Sequence, residues 1–107
     1  MCFVILFNNQ VVGFLLGGKD TIAGQTHILS FAIAEDYRNK GLGSKLLKFF
    51  IDYCIQKGYK SIRLEVRVDN KLAISLYERF NFKREGIIRK YYEDNTDALL
   101  MIKHLNV

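Results

Sequence analysis

Six residues, Arg38-Asn39-Lys40-Gly41-Leu42-Gly43, separate two stretches of opposite periodicity and constrain the fold more than any other part of the chain. Before them, Thr26 to Ala34 is an apolar run suited to a central strand. From Leu42 onward, Leu46, Leu47, Phe50, Tyr53 and Cys54 recur at helical spacing, while Ser44, Lys45, Lys48, Asp52 and Gln56 form a polar face. Glycines at such a junction let backbone N–H groups turn inward with no Cβ in the way, and the helix N-terminus adds partial positive charge. A pyrophosphate fits that arrangement, with Arg38 as a planar fork and Lys40 as a flexible point charge. A plain strand-to-helix turn also uses two glycines, so spacing alone leaves both readings open. The segment lacks the Gly-Lys-Ser/Thr of a Walker A loop and the third glycine of a dinucleotide fingerprint, which argues against both of those functions.

The rest of the chain builds outward from this junction. Phe3 to Phe7 and Val11 to Leu16 are β-prone runs joined by Asn8-Asn9-Gln10, a hairpin loop that tolerates positive φ, and Gly17, Gly18, Lys19 and Asp20 are expected to open a polar loop. Gly58 ends the first helix. Ser61 to Val66 alternates, with Ile62, Leu64 and Val66 on one face and Arg63, Glu65 and Arg67 on the other, as a strand parallel to the one before the helix. Asp69 and Asn70 cap a second helix over Lys71 to Phe80, with an expected apolar stripe of Leu72, Leu76 and Phe80, and Ala73 and Tyr77 beside it. Phe82 to Ile88 and Ala98 to Ile102 form two last strands around Glu93-Asp94-Asn95-Thr96-Asp97. The order β-β-β-α-β-α-β-β is that of an α/β domain with one mixed sheet and helices on its faces.

The 107 residues fit one domain, 1–107, with half of them hydrophobic and a quarter charged, which suits a chain that buries a core. A net charge of +5 suits an anionic cofactor, an acidic partner or nucleic acid alike. The basic residues are scattered among apolar ones, so a nucleic-acid arm is not expected. Cys2 and Cys54 form no C-x-x-C pair, so neither a disulfide framework nor a metal site is expected, and a reducing cytoplasm is the default location. No apolar run approaches the roughly 18 residues of a membrane span. His27 and His104 stand apart from any ligand cluster in the sequence, and Cys54 falls on the core face of its helix.

Three separated segments carry a family resemblance. FAIAEDYRNKGLGSKLL resembles the R-x-x-G-x-G acetyl-CoA-binding motif of the GNAT superfamily of N-acetyltransferases. LEVRVDNKLAISLYERFNFKREG resembles the second half of the same fold, and KYYEDNTDALLMIKHL is similar to the ending of its RimI-like branch, which acetylates protein N-terminal amines. The resemblance implies a mostly antiparallel mixed sheet whose central parallel strands splay apart. It implies that the backbone of Phe31, Ala32 and Ile33 pairs with the pantetheine arm of acetyl-CoA, and that an N–H near Ile33 stabilises developing oxyanion charge. Arg38, Asn39, Lys40, Gly41, Leu42, Gly43 and Ser44 then hold the pyrophosphate, and Asn70 contacts the cofactor while also capping its helix.

For the chemistry, the resemblance places a proton acceptor at Glu65 and a proton donor to the departing thiolate at Tyr77, with no metal. Arg63 and Arg67 flank Glu65 at i−2 and i+2, so a surface ion-pair row Arg63-Glu65-Arg67 is the competing reading. Tyr77 reads equally as an amphipathic core tyrosine. Tyr91, Tyr92 and Asp97 shape the acceptor pocket by the same analogy. The implied activity is acetyl transfer from acetyl-CoA to a primary amine, foremost a protein N-terminus such as that of a ribosomal protein. A lysine side chain or small amine is the alternative acceptor, and a non-catalytic acyl-CoA-binding or partner-binding module is the alternative of another class. Family members usually begin with a further strand and helices that wall the acceptor site. The expectation is therefore either a fragment or a wall supplied by another chain, such as the second copy in a homodimer that covers a sheet edge.

Overall fold

The computed structural model describes residues 1–105. The elements are β1 (Cys2–Phe7), β2 (Gln10–Lys19), β3 (Gln25–Ile33), α1 (Leu42–Gln56), β4 (Ser61–Arg67), α2 (Lys71–Arg79), β5 (Lys83–Ile88) and β6 (Ala98–His104). They follow the expected order and form one six-stranded sheet, β1-β2-β3-β4-β6-β5. Every neighbouring pair is antiparallel except β3 with β4. The β1–β2 hairpin turns on Asn8 and Asn9, both at positive φ (52° and 66°), where asparagine is among the few side-chain-bearing residues tolerated.

Helices α1 and α2 cover one sheet face, and the core lies beneath them around Leu15, Leu47, Phe50, Ile62, Leu64, Phe82 and Met101. The alternation of β4 is realised: Ile62, Leu64 and Val66 are buried, and Arg63, Glu65 and Arg67 occupy the opposite, helix-free face. Gly58, at φ +83°, lets the chain leave α1 in the left-handed conformation.

Two expectations need correction. Gly17, Gly18 and Lys19 continue β2 instead of opening a loop, because the strand bulges between Leu16 and Gly17 and the missing side chain makes room for a core ring. A Cβ on Gly17 would lie 2.8 Å from Phe50 Cε1. In α2 the buried residues are Ile74 and Tyr77, and Leu72 is 86% exposed. Leu76 and Phe80 do pack, partly buried, against the core, so the departure is at Leu72, which with Leu76 borders an open cleft.

The most consequential feature is where β3 and β4 part. Their parallel pairing runs from Gln25–Ser61 to Ile28–Leu64 and stops, although β3 continues to Ile33 and β4 to Arg67. The sheet therefore holds a wedge-shaped gap near its centre.

Candidate active site

The backbone of β3 beyond the gap is free on one side. Ala34 donates its N–H to Val12 O at 2.7 Å, and antiparallel pairing alternates, so Ala32 also turns its N–H and C=O toward β2 while Phe31 and Ile33 turn theirs to the gap. Arg38 Nε donates to Ile33 O at 3.0 Å, tying the start of the glycine loop to this edge and leaving the Ile33 N–H free of it.

The loop enters α1 through Gly41, whose φ of +76° is left-handed. No side chain caps α1, so the N–H groups of its first turn are left for a ligand. A Cβ on Gly43 would meet Ile33, Phe31 and Leu76 at 3.7 to 3.9 Å, which places it inside the space these three enclose. That space is a cleft of about 660 Å³ lined by Phe31, Ala32, Ile33, Arg38, Asn39, Gly41, Leu42, Gly43, Ser44 and Asn70, all nominated from the sequence. Lys40 is exposed and lies outside the lining, in the turn ahead of Gly41. Tyr37, Leu72, Leu76 and Arg79 line the cleft without having been nominated. An open strand edge, an uncapped helix N-terminus and an apolar wall suit a long ligand with an amide-bearing arm and a phosphate group.

A second cavity of about 230 Å³ continues through the gap and shares Phe31, Asn70, Ala73 and Tyr77 with the first. Glu65 reaches it from the helix-free face and Tyr77 from α2 on the other. Only because the strands have parted do a carboxylate and a phenol from opposite faces line one cavity.

Glu65 is held on both oxygens. Its side chain is 7% exposed, His27 Nε2 lies 2.7 Å from Oε1, and Arg63 Nη1 donates to Oε2. Arg63 Nη2 lies 3.1 Å from His27 Nδ1. A guanidinium only donates, so Nδ1 is the acceptor there and the imidazole proton sits on Nε2, aimed at Glu65. The ion-pair row of the competing reading is thus only half formed. Arg67 turns away to Asp94 and Thr96 and lies over the Tyr92 ring at 4.9 Å. His27, set aside in the sequence, is a partner of Glu65, since β3 and β4 run in register with His27 opposite Arg63.

Tyr77 is 7% exposed, with its ring 5.6 Å from that of Phe82 and 6.3 Å from that of Phe31. Burial, aided by nearby Tyr92, pushes its hydroxyl up to about 12, so it stays protonated at neutral pH. Asn70 caps α2, its side-chain oxygen accepting the Ala73 N–H at 3.2 Å, and lines both cavities. Of the residues expected around an acceptor, Tyr92 lines the smaller cavity, Tyr91 packs edge-on against it, and Asp97 instead pins the turn at Lys90. No cluster of metal-ligating side chains occurs among the described residues, nor is any helix there long and apolar enough to cross a membrane.

Residues 1–82 match the model of the acetyltransferase (GNAT) family. An N-acetyltransferase of Methanocaldococcus jannaschii is 40% identical over 104 residues, 95% of this chain and 65% of that protein. An N-alpha-acetyltransferase of Saccharolobus solfataricus is 35% identical over 96% of this chain and 68% of its own length. The chain spans about two thirds of the length of the curated relatives it matches. The ribosomal-protein-S18-alanine N-acetyltransferase of Escherichia coli superposes with a TM-score of 0.90 at 30% identity, over all of this chain and 70% of that one. The NatC complex, solved with CoA and a Gag peptide, superposes at 0.92 with 26% identity, over 98% of this chain and 71% of that one.

Proposed function

Because the chain belongs to the acetyltransferase (GNAT) family, we propose that it transfers an acetyl group from acetyl-CoA to a primary amine, and that the amine is a protein N-terminus. The wedge between β3 and β4 carries this reading, since it joins an open strand edge and a helix N-terminus to a cavity holding Glu65 and Tyr77. The acceptor class is supported by the relatives, which are N-alpha-acetyltransferases and a ribosomal-protein alanine N-acetyltransferase.

Acetyl-CoA supplies the acetyl group as a thioester. Phe31 and Ile33 offer backbone N–H and C=O to its amide arm, the Ile33 N–H supplies a fixed donor for a carbonyl oxygen that gains negative charge, and the first turn of α1 with Arg38 receives phosphate. An α-amine with a pKa near 8 arrives mostly protonated at pH 7. Glu65, held by His27 and Arg63 with lone pairs to spare, takes its proton directly or through one water. Tyr77, protonated at working pH, gives its proton to the leaving sulfur. Both cavities meet at Phe31, Asn70, Ala73 and Tyr77, so acceptor and donor approach from opposite sides of the sheet.

Steady-state turnover of N-terminal peptides, free lysine and polyamines at saturating acetyl-CoA tests the reading. Glu65→Gln and Tyr77→Phe are each expected to lower kcat by about 10²-fold or more for the peptide. Wild-type turnover in both variants would falsify the assignments. Binding of acetyl-CoA, seen by thermal shift, without turnover of any amine would leave a binding module instead.

A further inference from the structure

Asp20 directly follows the last residue of β2 and lines neither cavity, yet its side chain is 4% exposed. It accepts the Thr21 N–H at 2.7 Å and the Arg63 Nε–H at 2.7 Å, with Nη2 at 3.5 Å. The guanidinium is a rigid planar fork, so fixing Nε–H also fixes the directions of its other N–H bonds. One of those meets Glu65 Oε2 and another meets His27 Nδ1, and His27 in turn donates to Glu65 Oε1. Both carboxylate oxygens of Glu65 are therefore oriented, directly or through His27, by a fork whose own orientation is set 43 residues earlier in the chain.

We propose that Asp20 is a positioning residue for acetyl transfer: by clamping Arg63 Nε it aims one guanidinium at both Glu65 and His27 and so fixes the carboxylate at the acceptor cavity. The proposal rests on the reading of Glu65 as the proton acceptor. A Lys at position 63 preserves the charge beside Asp20 and Glu65 but has no fork, so fork geometry and charge can be separated.

The test is kcat and KM for Asp20→Asn and Arg63→Lys, beside Glu65→Gln and, as a control, Asp52→Asn, which breaks an exposed ion pair on α1 of no part in either cavity. Asp20→Asn keeps the shape and the Thr21 contact. Both clamp variants are expected to lower kcat by roughly ten- to a hundredfold while KM for acetyl-CoA stays within twofold. In wild type the Arg63 Nε–H should give a solvent-protected cross-peak in a nitrogen-proton correlation spectrum, and Asp20→Asn should abolish it. The Asp52→Asn control should match wild type throughout. If Glu65→Gln slows turnover while Asp20→Asn and Arg63→Lys do not, the clamp is overturned and the role of Glu65 stands. Should Glu65→Gln itself turn over normally, the failure lies in the functional reading beneath it. If Asp20→Asn does not fold, Arg63→Lys decides alone, and wild-type kcat there overturns the proposal.

Discussion

A phenol held among Phe31, Phe82 and Tyr92 ionises with difficulty, and that difficulty should register in the pH dependence of stability. Tyr77 is raised from about 10 to about 12 by burial, so the folded state keeps its proton where the unfolded chain has lost it. Stability from this group is complete below pH 10 and is lost as pH climbs toward 12, an effect of about 3 kcal/mol at most. Urea unfolding at pH 9 and pH 11 should therefore show a steeper loss in wild type than in Tyr77→Phe. The same burial pushes the Cys54 thiol up to about 12, whereas Cys2 is exposed. A thiol reagent at pH 8 should titrate one cysteine in the folded protein and two after unfolding; rapid reaction of both in the native state would contradict the buried position. Glu65, Tyr77 and Asn70 were put forward through the family resemblance, and all three line the smaller cavity because each sits at a fixed place on a strand or helix whose type the sequence announces. His27 was not put forward, since its partners lie 36 and 38 residues away and meet it only through the register of two strands.

Two elements show where periodicity misleads. Leu72 in α2 has the spacing of a core stripe with Leu76 and Phe80, but only those two reach the core, partly buried; Leu72 is exposed at the larger cleft, while Ile74 and Tyr77 pack inward. Leu72→Ala should change unfolding free energy by less than about 0.5 kcal/mol, whereas Ile74→Ala should cost about 2 to 5 kcal/mol. If Leu72 also contacts the cofactor, its truncation raises KM for acetyl-CoA while stability is spared. Gly13 in β2 is the converse case, a strand glycine with no turn to explain it. A Cβ there would lie 2.4 Å from Ile33 Cδ1 and 2.9 Å from Ala32 O. The isoleucine tip can swing away, but the carbonyl cannot move unless β3 moves with it. Gly13→Ala should therefore displace the strand edge at the gap, raising KM for acetyl-CoA severalfold and costing about 1 to 3 kcal/mol in denaturant unfolding. Sequence pattern assigns strands and helices well here because their apolar periods are long. The close approach of one backbone to another carries no period at all.

At the scale of the whole molecule, the two sheet faces differ in kind. One is covered by α1 and α2, and the other carries Glu65 with its partners His27 and Arg63 on β3 and β4 but apolar side chains on β1 and β2. Cys2 pairs with Leu16, Val4 with Phe14 and Leu6 with Val11 across those strands, and all six are exposed. Val4, Leu6 and Val11 are more than half exposed, so they contribute to strand propensity and almost nothing to the core. Contiguous apolar surface of this kind drives association in water. The double substitution Val4→Thr and Leu6→Thr keeps β-branching or a β-compatible side chain at both sites while removing apolar area from that face. It should leave the thermal midpoint within a few degrees and raise the concentration at which the chain begins to associate, read by light scattering against wild type. A large fall in the midpoint would mean that these side chains support the folded chain itself. Unchanged association with an unchanged midpoint would place the sticky surface elsewhere, with the exposed Phe49 and Ile55 on α1 the next to examine.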